Sequence, residues 1–362
     1  MRVLIIGASG FIGHYLRRRL LQKSGFDVTS TYNSRAPKDI DQSWYPLEIT
    51  DHHRLDQIFQ EVRPEVVVLL AAIADVKTAE MGPERATGVN VDGARQVARL
   101  CKQHHARLIF LSSEYVFRGD RGNYHEDDSP DPNTHYGRTK RQAELAVAEE
   151  ASQWSIVRTS LVYGWPITGR QNLATVIIDR LKNGESYEGD TGTYRTPIYV
   201  EHLTEGIMQL VANYHHGTFH FAGTDWMNMY QFGRAVAEVF DLDSSLVNPV
   251  QVSAGLPTEK APPEELEQGL RPDILGLDCT QTNHKLGLHA FSVVTGLKEM
   301  LVLSGPPVCI KAAGRGPAQV SVNISAPPSR TVRILARCFP GRVVNESPRQ
   351  VRRPNAPARL RL

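Results

Sequence analysis

The sequence predicts an α/β protein: a doubly wound parallel sheet followed by a smaller second α/β part. Three observations predict it. Val3–Ile6 is an unbroken apolar run, as a strand buried on both faces reads. Glycines at 7, 10 and 13 follow it directly and open a helical stretch. Up to Ser113, short apolar runs then alternate with helical periodicity, the pattern of parallel strands joined by crossover helices. Such crossovers are expected to be right-handed.

The opening stretch, MRVLIIGASGFIG, has the sequence of a pyrophosphate cradle. Gly7, Gly10 and Gly13 let the backbone turn sharply and approach a phosphate. Ser9, Phe11 and Ile12 lie between them, where the helix that continues through His14–Gln22 offers its first N–H groups. Arg17, Arg18 and Arg19 are expected on the exposed face of that helix.

Asp27–Tyr32 alternates and is rich in β-branched residues, so it reads as the second strand. No Asp or Glu ends it, although such a residue would bond the ribose 2′-OH of NAD. Arg35 follows instead, where it would meet a 2′-phosphate. NADP(H) is therefore favoured over NAD(H).

Leu47–Asp51 reads as a short strand end beside an adenine ring, and Leu55–Val62 as a helix. Glu65–Ala74 is a buried strand whose Ala71 and Ala72 are small enough to admit a dinucleotide. Glu84–Gln103 is helical, and Arg107–Ser113 is a further strand. Ser112 and Ser113 end it on the side where ligands of open α/β sheets bind.

Tyr136 and Lys140 stand four apart in a stretch that reads as a helix over 136–150, which places them on one face. A tyrosine near its ordinary pKa of about 10 exchanges protons poorly at neutral pH. A nearby ammonium is expected to lower it. The phenol then exchanges a proton with a carbinol oxygen. A serine hydroxyl holds that oxygen in place.

These residues resemble the extended short-chain dehydrogenase/reductases. GASGFIG is similar to their cofactor turn, and Tyr136 and Lys140 match their Tyr-x-x-x-Lys pair. Ser113 stands three residues before Val116, as their catalytic Ser or Thr does. Within that family the chain resembles the dTDP-4-dehydrorhamnose reductase-like branch. The likeness is carried by SSEYVFRG (112–119), PNTHYGRTK (132–140), VRTSLVYG (157–164) and RPDILGL (271–277). It spans roughly residues 1–303 and is patchier after 165. It implies an NAD(P)-binding Rossmann fold and catalytic Ser113, Tyr136 and Lys140. It also implies that Tyr136, Lys140 and Asn90 (in VNVDG) contact the cofactor. The chain departs from the branch at Ser113 (usually Thr), Glu114 (usually Asp) and Gly276 (usually Ser or Arg).

The expected activity is NADPH-dependent reduction of a nucleotide-linked 4-keto sugar. The alternatives are a sugar-nucleotide epimerase or dehydratase and a non-catalytic, NADP-binding regulatory subunit. Residues 1–163 are assigned to the dinucleotide-binding domain. Residues 164–303 are assigned mainly to substrate binding, interleaved with the last Rossmann elements. Trp165–Gln171 reads as a loop, and Asn172–Asn183 and Leu203–Ala212 as helices. Gly217–Ala222 is a strand, Tyr230–Phe240 a core-packing helix, and a final helix lies within Leu286–Leu303. Arg170, Asn172 and Arg195 are candidates for the substrate's nucleotide or diphosphate, with Glu114 beside them, because arginine grips phosphate bidentately.

The 362 residues are 41% hydrophobic, enough for a sizeable core. Charge is unevenly spread: 304–362 carries eleven Lys or Arg and one acid, a net +10, which leaves −8 for the rest. This proline-rich basic tail is expected to be disordered. With Phe339 as its one aromatic residue, it is not expected to bind nucleic acid. A glycine turn beginning at residue 7 leaves no room for a signal peptide. No apolar run reaches eighteen residues, so no membrane span is expected. The four scattered cysteines fit a reducing cytoplasm. The paired histidines (52–53, 104–105, 215–216) lack metal-ligand spacing, so no metal is expected. The resemblance suggests a homodimer through the helices at 84–103 and 136–150, which the residue pattern leaves open.

Overall fold

The computed structural model describes residues 1–38, 40–167, 169–251 and 273–303. The tail 304–362 and Arg271–Pro272 of the late motif lie outside them.

The first half runs β1 (Arg2–Ile6), α1 (Phe11–Leu21), β2 (Asp27–Tyr32), β3 (Trp44–Pro46), α2 (His52–Val62), β4 (Val66–Leu69), α3 (Val76–Met81) and α4 (Pro83–Thr87). A π-helical turn, Gly88–Asp92, joins α4 to α5 (Gly93–Gln103), and β5 (Arg107–Leu111) and α6 (His135–Glu150) follow. The second half runs β6 (Trp154–Thr159), β7 (Val162–Tyr163), α7 (Leu173–Lys182), β8 (Tyr187–Asp190), β9 (Tyr194–Arg195), β10 (Ile198–Tyr199) and α8 (Val200–Ala212). It closes with β11 (Gly217–Phe221), β12 (Met227–Asn228), α9 (Met229–Val239), β13 (Val247–Val250), α10 (Thr280–Leu286) and α11 (Val293–Leu303).

Seven strands form one sheet in the order β11-β6-β5-β4-β1-β2-β3, with every neighbouring pair parallel. Strand order reverses between β1 and β4, the position at which a crevice opens in such sheets. Alternation along the strands fills both faces. Leu4, Ile6, Val67, Leu69, Leu108 and Phe110 pack under α2, α5 and α6. Val3, Ile5, Val66, Val68, Ile109 and Phe219 pack under α1 and α8. A further cluster around Tyr163, Ile177, Tyr199, Phe232 and Leu297 supports the second half.

Several boundaries differ from those read in the sequence. The strand after β2 is Trp44–Pro46, and Leu47–Asp51 is instead the turn into α2, whose N-terminus Asp51 caps. Strand β4 stops at Leu69, and α8 begins at Val200 rather than Leu203. The arginines of α1 are not a solvated face. Arg17 is buried, donates to Ser30 and Ser43, and lies 4.8 Å over the Trp44 ring. Arg18 and Arg19 both pair with Glu201 of α8. An arginine stem covers apolar surface while its head finds partners, so a run of three hides its packing from sequence.

Candidate functional site

The glycine turn is tight for a physical reason at each end. Gly7 has φ +94°, and a Cβ there would lie 2.7 Å from the Ala71 nitrogen. A Cβ on Gly13 would lie 2.5 Å from the Gly7 carbonyl oxygen. Gly10 caps α1 without any side-chain bond, so the first N–H groups of the helix have no side-chain acceptor. Such a cradle fits a pyrophosphate. The side chains of Phe11 and Ile12 are partly buried in apolar packing.

A cavity of about 260 Å³ opens beside this turn. Gly7, Ser9 and Gly10 line it together with Thr31–Asn33, Leu47–Ile49, Leu70–Ile73, Arg85 and Val89. The predicted Ala71 and Ala72 are there; Arg35 is not. Asn90 is 2% exposed and does not line the cavity. Its amide oxygen accepts from the Ile73 N–H at 2.8 Å, and its nitrogen donates to the Ile73 carbonyl and the Thr139 hydroxyl. It therefore ties the cavity wall to the helix that carries Tyr136 and Lys140.

Ser113, Tyr136 and Lys140 converge at the C-terminal end of β5. Ser113 starts a 3-10 turn over Glu114–Val116, its hydroxyl accepting from the Tyr115 N–H at 3.3 Å, and it stands near enough to the Tyr136 phenol to act on its pKa. Thr134 caps α6, and the Glu80 carboxylate of α3 accepts from the His135 N–H at 2.6 Å. Both hold the first turn, which carries Tyr136. Lys140 Nζ donates to the Leu111 carbonyl at 2.6 Å and lies 4.2 Å over the Phe110 ring.

The expected lowering of the Tyr136 pKa is not what the structure produces. Burial pushes the phenol up to about 12, with the Ser113 hydrogen bond opposing it. Lys140 is itself pushed down to about 7 by burial, with Glu144 working against the shift. Desolvation is the largest cause for both side chains.

The substrate-side candidates part company. Glu114 and Arg195 form a buried ion pair, Nε to Oε1 at 3.3 Å, and Arg195 also donates to the Tyr194 carbonyl and lies over the Tyr115 ring. Burial lifts the Glu114 carboxyl to about 7, opposed by Arg195, Ser160 and the Gly276 backbone. Arg170 is an exposed loop residue paired with Asp75 at 3.3 Å. Asn172 caps α7 and donates to the Gly164 carbonyl at 2.7 Å. Gly276 has φ +126°, and a Cβ would lie 2.6 Å from the Trp226 indole, so the larger residues common in the branch do not fit. No group of His, Cys, Asp and Glu among the described residues is arranged to hold a metal. No helix among them is long and apolar enough to cross a membrane.

Sequence reasoning missed a buried hub at Glu144. Its carboxylate accepts from Ser112 Oγ at 2.7 Å, from Arg158 Nε and Nη2 at 2.9 Å, and from Arg141 at 3.1 Å. The signal was present: Glu144 stands four after Lys140, on the same helix face.

A family model, the RmlD substrate binding domain, matches residues 1–303. A probable low-salt glycan biosynthesis reductase of Haloferax volcanii is 30% identical over 250 residues, covering 68% of this chain and 83% of that one. Methionine adenosyltransferase 2 subunit beta of Bos taurus is 29% identical over 255 residues, covering 69% and 75%. The crystal structure of a dTDP-4-dehydrorhamnose reductase from Bacillus anthracis in complex with NADP superposes with a TM-score of 0.68 at 27% identity. It covers 83% of this chain and 98% of that one.

Proposed function

The chain belongs to the RmlD substrate binding domain family, and from that premise we propose that it reduces a nucleotide-linked 4-keto sugar with NADPH. One observation carries the reading: the helix that holds Tyr136 beside Ser113 also sends Lys140 back to the Leu111 carbonyl at the end of β5, and Asn90 joins that helix to the wall of a glycine-lined cavity. Gly7, Gly10, Gly13, Ala71 and Ala72 would hold the dinucleotide. The bound nicotinamide supplies the hydride. Tyr136 gives its proton to the carbonyl oxygen, and the resulting phenolate is reprotonated from solvent. A phenol near 12 is protonated at neutral pH, the form a donor needs. The Ser113 hydroxyl orients the same oxygen. The likeness to a reductase crystallised in complex with NADP supports the cofactor.

A second reading is a dinucleotide-binding subunit without turnover, supported by the likeness to an adenosyltransferase subunit. NADPH oxidation, followed by absorbance against a panel of nucleotide-linked 4-keto sugars, separates the two. Stoichiometric oxidation that Tyr136→Phe reduces by about 10²–10⁴ supports the reductase. Tight NADPH binding with no oxidation supports the subunit, and turnover undiminished in Tyr136→Phe ends the proposed mechanism.

A further inference from the structure

We infer that Arg85 binds a phosphate group of the dinucleotide, the role that the sequence points toward Arg35. The inference rests on the cofactor reading above.

Most of the cavity lining is backbone, small residues and apolar side chains, and its charged lining residues are Glu48 and Arg85. The Glu48 carboxylate accepts from Asn33 Nδ2 at 2.6 Å, which holds it at the end of β2. The Arg85 side chain is exposed and makes no ion pair or hydrogen bond among the described residues. A dinucleotide brings at least the negative charges of its pyrophosphate into this cavity, and Glu48 opposes them. A guanidinium, always charged and with five donors in a planar fork, is the side chain suited to offset that.

The placement of Arg85 is built in. Residue 85 lies on α4, and the π-helical turn that follows puts Val89 into the same cavity. The next residue, Asn90, is bonded twice to the backbone of Ile73, which is itself part of the cavity wall. The segment carrying Arg85 is thereby fixed to the cavity, although the side chain stays open to solvent. In sequence, Arg85 falls at the start of the helical stretch Glu84–Gln103, far from the second strand where a phosphate partner is sought.

The test is calorimetric titration of the full chain with NADPH and, separately, with NADH. It compares wild type with Arg85→Ala, Arg85→Lys and Arg35→Ala, each checked by circular dichroism and melting. An exposed side chain leaves the fold intact in these variants. The expected result is at least about a tenfold loss of NADPH affinity in Arg85→Ala, partly restored in Arg85→Lys, as a charged hydrogen bond requires. Loss confined to NADPH assigns Arg85 to the 2′-phosphate, and equal loss for both nucleotides assigns it to the pyrophosphate. Unchanged affinity in Arg85→Ala overturns the inference while wild-type binding keeps the cofactor reading; loss in Arg35→Ala would then return the role to Arg35. A wild-type chain that binds neither nucleotide overturns the cofactor reading and this inference together.

Discussion

Lys140 Nζ donates to the backbone carbonyl oxygen of Leu111, 2.6 Å away. The contact ties α6 to the strand end two residues before Ser113, and it keeps the lysine out of water at 2% exposure. Burial lowers its pKa from 10.5 to about 7. Between those values the unfolded chain binds the extra proton, so stability rises with pH across the window. Denaturant unfolding at pH 7, 8 and 9 should show a rise of about 1 kcal/mol per unit in wild type that Lys140→Met lacks. Equal pH slopes in the two proteins would show that Lys140 titrates normally.

Glu114 carries the opposite sign. Its folded pKa is raised from 4.5 to about 7 by burial. Here the folded chain holds the extra proton, so this contribution is complete below pH 4.5 and is lost as pH rises through 7. Melting temperature should fall across that window more steeply in wild type than in Glu114→Gln. The difference should amount to about 1–3 kcal/mol. A Glu114→Gln curve parallel to wild type would mean that Arg195 keeps the carboxylate ionised throughout.

The Glu144–Arg158 pair is almost fully buried, with side-chain exposures of 1% and 4%. Removing one partner strands the other charge. Glu144→Ala should therefore lose about 3–5 kcal/mol in urea unfolding, with part recovered in Glu144→Gln, which keeps acceptor and shape. A loss under about 1 kcal/mol, the value of a surface pair, would contradict the burial of this hub.

Gly13→Ala places a methyl group 2.5 Å from the Gly7 carbonyl oxygen and 2.7 Å from the Ala8 Cα. Both obstacles are backbone, so the turn itself has to shift. Overpacking of this kind costs about 1–3 kcal/mol. NADPH titration and thermal melting should both report the change, as weaker binding and a lower midpoint. Wild-type values for both would mean that the turn tolerates the methyl group.

Much of the first half was legible because its signals are local. The apolar run of β1, the glycine spacing and the Tyr136–Lys140 interval each need only a few neighbouring residues to be read. Arg17 to Arg19 show where that ends. Whether an arginine faces water or pairs with Glu201, some 180 residues away, depends on how α8 docks on α1. Strand ends failed for a related reason. Strand β4 stops at Leu69 because its partner β1 has ended, although the apolar sequence runs on.

The sequence by itself determined the parallel α/β architecture and the glycine turn after β1, because periodicity and spacing along one chain encode them, and it brought forward Ser113, Tyr136 and Lys140 as candidates. Only the tertiary structure decided their electrostatics and their supports. It buried Tyr136 and Lys140 so that desolvation rules their pKa values, and it paired Glu114 with Arg195. It also set Glu144 behind the strand end, and placed Arg85 rather than Arg35 in the lining of the cavity. Burial and long-range charge pairing depend on which surfaces meet in space, and no local pattern of residues records that.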